Sequence, residues 1–168
     1  MLRPMRPFPS SNRTVKVDPA ASSFQLTIDC LDPHRLTQFW ALALGYVVEP
    51  LPPGFTDWAA YWRDRGVPDA ELEGVEGSDS LVDPAGHGPR IWFQIVPETK
   101  AVKNRIHFDL DAGGGPGVPL PERKNRVNVR VTELVGQGAT RLRILEHDYP
   151  DHYAVVMQDP EGNEFCVH

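Results

Sequence analysis

The feature that most constrains the fold is an order of predicted elements that occurs twice along the chain. Residues 24–30 alternate between apolar and polar side chains, which is typical of a strand, and a predicted helix and three predicted strands follow. Residues 105–111 alternate in the same way and begin a second series in the same order. Neither unit is large enough to bury one face of its own sheet well, so we expect the two to pair. The sequence therefore predicts an α+β fold of two paired βαβββ modules, over residues 23–98 and 103–168.

Capping signals mark the predicted helices. Asp32 followed by Pro33 is typical of a helix start, and Gly45 lies where a helix often ends. Apolar residues recur at helical spacing in both modules and predict one buried stripe each: Leu36, Phe39, Trp40, Ala43 and Leu44 in the first, and Val127, Val131, Leu134 and Val135 in the second. A shorter predicted helix over residues 56–66 carries Trp58 and Trp62.

Charge and composition argue against several classes of protein. The net charge is −6, and residues 1–20 hold four basic and one acidic side chain, so residues 21–168 carry −9. An acidic body of this kind would be repelled by the phosphates of a nucleic acid. No apolar run approaches the roughly 20 residues of a membrane span, and the N-terminus lacks the apolar core of a signal peptide. We therefore expect a cytoplasmic protein without nucleic-acid or membrane partners, in which Cys30 and Cys166 are reduced and buried.

The first residues differ in composition from the rest of the chain. Residues 1–21 are rich in proline, serine and arginine and have no hydrophobic periodicity. Such a segment cannot bury enough apolar surface to fold. We therefore expect a disordered arm over residues 1–21 and one folded domain over residues 22–168.

Alternation also sorts the strand residues between the two faces of each sheet. We expect one face to pack under the helices, with Phe24, Leu26, Ile28, Ile91, Phe93 and Ile95 in the first module and Ile106, Phe108, Leu110, Phe165 and Val167 in the second. The opposite face, here called the open face, would carry Gln25, Thr27, Asp29, Trp92, Gln94 and Val96 in the first module and His107, Asp109, Asp111, Glu164, Cys166 and His168 in the second. A concave surface with a few convergent polar groups is the usual binding-site hypothesis, so we expect a cup for a small molecule.

Three local motifs are the most distinctive in the chain: Leu-Gly-Tyr at residues 44–46, Lys-Asn-Arg-Ile-His-Phe-Asp-Leu at residues 103–110, and Asp-Pro-Glu-Gly-Asn-Glu-Phe-Cys at residues 159–166. Together with the repeat, they resemble the vicinal oxygen chelate superfamily of glyoxalase I, extradiol dioxygenases and bleomycin resistance proteins. The resemblance covers about residues 23–168 and is greatest to the glyoxalase-like branch. It implies the paired βαβββ fold and a homodimer. Function stays open, because this fold serves several chemistries.

The resemblance also implies where a metal would lie. Metal-using members take one ligand from the first and last strands of each module, usually His or Gln, Glu, His and Glu. The matching positions here are Gln25, Gln94, His107 and Cys166, so an amide and a thiol replace the two carboxylates. Two amides, an imidazole and a neutral thiol would give a divalent ion no charge compensation. A Zn, Ni, Mn or Fe ion is therefore disfavoured, although an ionised Cys166 would make zinc conceivable.

Several roles stay open for these side chains. His107 could bind a ligand or simply hydrogen-bond Asp109, and Cys166 is more typical of a small buried residue than of a nucleophile. The candidates for acid–base catalysis are His107, Asp109 and Glu164. Trp58 and Trp62, four residues apart, predict an aromatic flap over the cup. The predicted ligand-binding residues are Gln25, Thr27, Trp58, Trp62, Trp92, Gln94, His107 and Cys166.

The functional hypothesis is a glyoxalase-like protein that binds a small hydrophobic or aromatic molecule without an intact metal centre. It would act by sequestration, as the resistance proteins of this fold do, or as a metal-independent enzyme. Two alternatives stay open. One is a metal-dependent lyase or dioxygenase that uses His107, Gln25 and Glu164, and the other is a non-catalytic, dimeric regulatory module.

Overall fold

The structure is a computed structural model that describes residues 23–75, 77–147 and 152–168. Two four-stranded sheets and three α-helices confirm the predicted α+β fold of two βαβββ modules. The predicted arm over residues 1–21 lies outside the described residues. Within the part of the chain that is described, no helix is long and apolar enough to cross a membrane.

The first module contains strands β1 (Gln25–Cys30), β2 (Val47–Val48), β3 (Ser80–Val82) and β4 (Arg90–Ile95) in the spatial order β1-β4-β3-β2. Strands β1 and β4 are parallel and the other pairs are antiparallel. Helix α1 (Pro33–Leu44) follows β1, and helix α2 (Trp58–Asp64) and a 3₁₀ turn (Asp69–Glu71) lie between β2 and β3. The cap signals of α1 are confirmed, because the Asp32 side chain accepts a hydrogen bond from the Arg35 amide and Gly45 has a φ of 70°.

The second module contains β5 (Asp109–Leu110), helix α3 (Leu120–Gly136), β6 (Thr140–His147), β7 (His152–Gln158) and β8 (Glu164–Val167). Its strand order, β5-β8-β7-β6, matches that of the first module, and β5 and β8 are again parallel. Residues 148–151, between β6 and β7, lie outside the described residues.

Three strand residues depart from their predicted places under a helix. Phe24, Ile95 and Ile106 are exposed to 70%, 66% and 82%. Phe24 and Ile106 precede strands β1 and β5, and Ile95 is the last residue of β4, so all three lie at or beyond the ends of the sheets. The predicted strand over residues 105–111 is also reduced to Asp109–Leu110, and His107 precedes it.

One hydrophobic core joins the two modules, and Trp40 of α1 lies at its centre. The Trp40 ring contacts Phe108 and Phe165 of the second module at centroid distances of 5.0 and 5.2 Å. Its Nε1 donates a hydrogen bond of 3.1 Å to the buried carboxylate of Asp159. Since a buried indole and a buried carboxylate both need partners, this bond fixes where the modules meet.

Both ends of α1 are also held by the second module. Glu161 accepts hydrogen bonds from the amides of Leu31 and Asp32, at 2.9 and 2.7 Å. Arg130 of α3 donates to the carbonyl of Leu42 at 2.7 Å. A carboxylate at a helix N-terminus and a guanidinium at its C-terminus both complement the helix dipole. Helix α1 is therefore capped from outside its own module.

Candidate functional site

The open face of the second sheet brings three predicted site residues together. His107, Asp109 and Cys166 offer Nδ1 or Nε2, carboxylate and sulfur atoms that all lie within 4.8 Å of one another. Asp109 is paired with Cys166 across β5 and β8, so both side chains point to the same side of the sheet. The ring nitrogen Nδ1 of His107 lies 2.9 Å from Oδ1 of Asp109. A hydrogen bond between His107 and Asp109, one of the roles left open for His107, is therefore present.

The thiol of Cys166 is buried and protonated. Its pKa is raised to about 11, first by burial and then by the charge of Asp109 and a hydrogen bond to that carboxylate. The nearby charges of Arg143 and Lys103 act in the opposite direction and are outweighed. A thiol with this pKa is a poor nucleophile near neutral pH.

Glu164, one of the predicted acid–base candidates, is already paired with a lysine. Its carboxylate forms an ion pair with Lys103, whose hydrogen bond lowers the pKa of Glu164 below its usual value. The backbone amide of Glu164 donates a hydrogen bond of 3.1 Å to the Asn104 side chain. Glu164 is therefore ionised and paired, which suits a fixed anion better than a proton donor.

The two glutamines of the first sheet do not lie together. Gln25 is paired with Arg90, whereas Gln94 is paired with Asp29, four positions further along the same two strands. At about 3.3 Å per residue, these side chains are separated by about 13 Å along the sheet. Gln25 also accepts a hydrogen bond of 3.0 Å from Arg90. The register of β1 against β4, which alternation alone cannot reveal, separates the two glutamines.

The four family-equivalent metal positions therefore do not form a metal site. Gln25 and Gln94 are too far apart to bind one ion together. A divalent ion needs several donors at about 2.0–2.6 Å and prefers anionic ones. These residues do not fit the metal centre that the fold family implies.

A cavity of about 270 Å³ lies on the open face of the first sheet. Its walls include Trp92 of β4 and, from α2, Trp58 and Trp62, and its other lining residues include Ser78, Ser80 and Arg90. Thr27 is paired with Trp92 on the same open face and is exposed. The structure thus brings the three predicted tryptophans to one cavity.

Helix α2 is held by ring contacts rather than by burial in the core. None of its residues is buried, and Asp57 caps it by accepting a hydrogen bond of 2.7 Å from the Ala60 amide. Tyr61 contacts the rings of Trp58 and Trp62 at 5.2 and 5.0 Å, and the Arg65 guanidinium lies 3.6 Å from the Tyr61 ring centroid. This aromatic cluster presents the tryptophans to the cavity as a unit.

Arg90 is a site residue that the sequence prediction missed. Two of its nitrogens donate to the carboxylate of Glu49 at 2.9 and 2.6 Å, and a third donates to Gln25. The guanidinium is therefore neutralised by one bidentate ion pair. Arg90 lies two residues before Trp92, so strand alternation could have placed it on the same face.

The comparisons with known proteins agree with this architecture. The sequence matches the glyoxalase-like domain family over residues 25–168. The chain belongs to this family. The family match, together with a solved structure of the same fold from the glyoxalase/bleomycin resistance/dioxygenase superfamily, confirms the predicted resemblance. No curated protein matches the sequence.

Three solved structures illustrate the likeness. A glyoxalase/bleomycin resistance/dioxygenase family enzyme from Burkholderia phytofirmans is 17% identical, with a TM-score of 0.50 and coverage of 85% of this chain and 94% of that chain. A hypothetical protein from S. aureus is 12% identical, with a TM-score of 0.53 and coverage of 88% and 92%. The fosfomycin resistance protein FosX from Listeria monocytogenes is 10% identical, with a TM-score of 0.52 and coverage of 88% and 90%. At these identities, the likeness shows the fold of this glyoxalase-like protein and not its chemistry.

Proposed function

We propose that this glyoxalase-like protein binds a small planar organic molecule in the tryptophan-lined cavity of its first module. The observation that carries the proposal is the convergence of Trp58, Trp62 and Trp92 on one cavity. Aromatic walls with a few polar groups are typical of small-molecule sites. A volume of about 270 Å³ suits a ligand of one or two fused rings.

The electrostatics of the cavity disfavour an anionic ligand, because its lining also includes the acidic residue Asp79. The charge of Arg90, which lines the cavity, is paired with Glu49 in a bidentate contact. An anionic ligand would have to compete with this carboxylate for the guanidinium. The proposal therefore favours neutral aromatic rings that stack on indole surfaces over phosphonates or carboxylates.

The proposal does not include a metal centre shared by the two modules. Its support is the spacing of Gln25 and Gln94, which lie about 13 Å apart by the strand rise. By contrast, a mutant of FosX from Listeria monocytogenes has been solved in complex with Mn(II) and a dihydroxypropylphosphonic acid. We infer that this chain uses its fold without that kind of centre.

Ligand-observed NMR with quinoline as the probe tests the aromatic site. We expect saturation transfer from the wild-type protein to quinoline, and at least tenfold weaker binding in Trp92→Ala and in Trp62→Ala. Trp62 is 37% exposed, so Trp62→Ala should leave the fold intact. This variant therefore still tests the site if Trp92→Ala fails to fold. Val102→Ala, at a residue that is 78% exposed and does not line the cavity, is the matched control. Wild-type affinity in both tryptophan variants, or no binding in the wild type, would overturn the proposal.

Metal analysis tests the second part of the proposal. We expect purified protein to contain less than stoichiometric Zn, Ni, Mn and Fe, and its melting temperature to be the same with and without EDTA. Stoichiometric metal together with a large decrease in melting temperature on EDTA treatment would favour a metal-dependent lyase or dioxygenase instead.

A further inference from the structure

The tryptophan-lined cavity of the first module is bordered by an acidic segment of the chain. Residues 69–83 contain six aspartate and glutamate side chains and no lysine, arginine or histidine. Five residues of this segment, Val75 and residues 77–80, line the cavity. Because a cleft edged by charges of one sign attracts ions of the opposite sign, this segment favours a cation at the cavity.

The charges of the lining itself do not cancel. Arg90 is paired with Glu49 through two hydrogen bonds of 2.9 and 2.6 Å. Asp79 also lines the cavity, and in the part of the chain that the structure describes, no lysine or arginine forms an ion pair with it. These three side chains therefore sum to one negative charge, which a cationic ligand would neutralise.

The environment of Asp79 agrees with a missing partner. Partial desolvation of its carboxyl raises the pKa of Asp79 above its ordinary value, and the charge of His34 lowers this pKa by less. A carboxylate that has lost part of its hydration without gaining an ion pair gains the most from a nearby cation. Asp79 is therefore the side chain of the lining whose charge a ligand can use.

The indole rings at this cavity are suited to the same kind of ligand. The ring centroids of Trp58 and Trp62 are 6.4 Å apart and their planes differ by 30°, so one cationic group can lie within about 6 Å of both. Indole attracts cations more strongly than the other aromatic side chains do. The neighbouring ring of Tyr61 already accepts a cation, because the Arg65 guanidinium lies 3.6 Å from its centroid. Ring contacts and charge thus select the same class of ligand.

We infer that the cavity recognises a fused aromatic ring with a permanent positive charge on nitrogen, with Trp58 and Trp62 as ring contacts and Asp79 as the counter-charge. This inference rests on the proposed function, because it gives the charge of the ligand in the same cavity. Attraction between a cation, indole faces and a carboxylate is not directional, so Asp79 acts without touching the ligand. No group of the protein gains or loses a proton.

Two probes of the same outline test the inference by calorimetry. N-methylquinolinium is a permanent cation, and 4-methylquinoline is neutral at a pH well above the pKa of its ring nitrogen. We expect wild-type protein to bind N-methylquinolinium about tenfold more tightly than 4-methylquinoline. Equal affinities, or tighter binding of the neutral probe, would overturn the inference.

Asp79→Asn tests the source of this preference. The substitution keeps the backbone bond of 2.8 Å from the Phe93 amide to the carbonyl of residue 79, so the fold should persist. We expect it to remove most of the preference for N-methylquinolinium and to leave the affinity for 4-methylquinoline unchanged. Glu71→Gln is the matched control, because it removes one charge from the same acidic segment at an exposed residue that does not line the cavity. An unchanged preference in Asp79→Asn, or the same loss in Glu71→Gln, would overturn the role of Asp79.

Trp62→Ala separates a failure of this inference from a failure of the proposed function. We expect it to weaken the binding of both probes, since both would contact the indole ring. If both probes bind equally well to the wild type and both are weakened by Trp62→Ala, the aromatic site exists without a preference for cations. If neither probe binds, or if Trp62→Ala changes neither affinity, the aromatic site and this inference are both wrong.

Discussion

The two modules share one strand order, but their open faces differ because β2 and β3 are connected differently from β6 and β7. In the first module, β2 and β3 are two and three residues long, and the segment between them contains α2 and its tryptophans. In the second module, β6 and β7 are eight and seven residues long and are separated only by residues 148–151. The first open face therefore carries a walled aromatic cavity, and the second carries a polar cluster. The connection between two strands, more than the sheet itself, decides what each face can bind.

The largest expected effect is a loss of stability from a substitution between the modules. It tests whether the two modules fold as one unit although their open faces differ. Trp40→Ala should lower the free energy of unfolding by about 3–5 kcal/mol, because it opens a cavity between the modules and leaves Asp159 without its indole donor. Urea unfolding followed by circular dichroism measures this loss. Trp58→Ala, in a helix without buried residues, should cost far less. Two separate transitions in Trp40→Ala would mean that the modules are independent.

A smaller loss is expected when the second module no longer caps α1. Glu161→Ala removes the acceptor for the amides of Leu31 and Asp32 and should cost about 1–2 kcal/mol of unfolding free energy. Glu146→Ala breaks an exposed ion pair with Lys124 within the second module and should cost less than about 1 kcal/mol. Equal losses in the two variants would contradict a special role for Glu161.

The charge selectivity of the first open face can be changed at one residue. Glu49→Gln should free the guanidinium of Arg90 and increase the affinity for 2-naphthoate about tenfold, which corresponds to about 1.4 kcal/mol. The affinity for quinoline should stay the same, since the tryptophans are unchanged. Both affinities can be measured by calorimetry. If 2-naphthoate binds equally to both proteins, Arg90 is already available in the wild type.

Each module contains one buried cysteine, and the ionisation of these two thiols should make the stability of the protein depend on pH. The pKa values of Cys30 and Cys166 are raised from 9.0 to about 12 and about 11, mainly by burial. Above pH 9, the unfolded chain loses these protons while the folded protein keeps them, so stability should fall as pH rises. Between about pH 9 and 10, the loss should be about 1 kcal/mol per thiol.

Urea unfolding at about pH 8, 9 and 10 checks this dependence. Cys30→Ala and Cys166→Ala should each remove a similar part of the decrease in stability, because either thiol stays protonated in the folded protein over this range. If stability falls as steeply with pH in the variant that carries both Cys30→Ala and Cys166→Ala as in the wild type, other groups cause the decrease.

The sequence predicts local features of this fold better than it predicts which distant residues lie together in the structure. The start of α1 at Pro33 and its end before Gly45 depend on neighbouring residues, and both are correct. Strand alternation also places Asp109 and Cys166 on one face. The separation of Gln25 from Gln94 depends on the register between two distant strands, which alternation leaves undetermined.

Long-range polar contacts are the other part that the sequence does not predict. The Asp159–Glu161 turn is recognisable from its residues, but its contacts with Trp40 and with the start of α1 join positions about 120–130 residues apart. The ion pair of Arg90 with Glu49 likewise depends on how β4 lies beside the chain after β2. Such contacts follow from tertiary packing, which no local pattern encodes.

The absence of buried residues in α2 has a consequence for how such a protein can evolve. Substitutions in this helix change the walls of the cavity without removing core contacts, so few of them should threaten folding. Natural variation could therefore exchange one ligand for another here while the contacts at both ends of α1 preserve the scaffold. A library randomised over residues 55–65 would be expected to yield mostly folded proteins with altered ligand preferences, which makes this segment the natural starting point for engineering new binders.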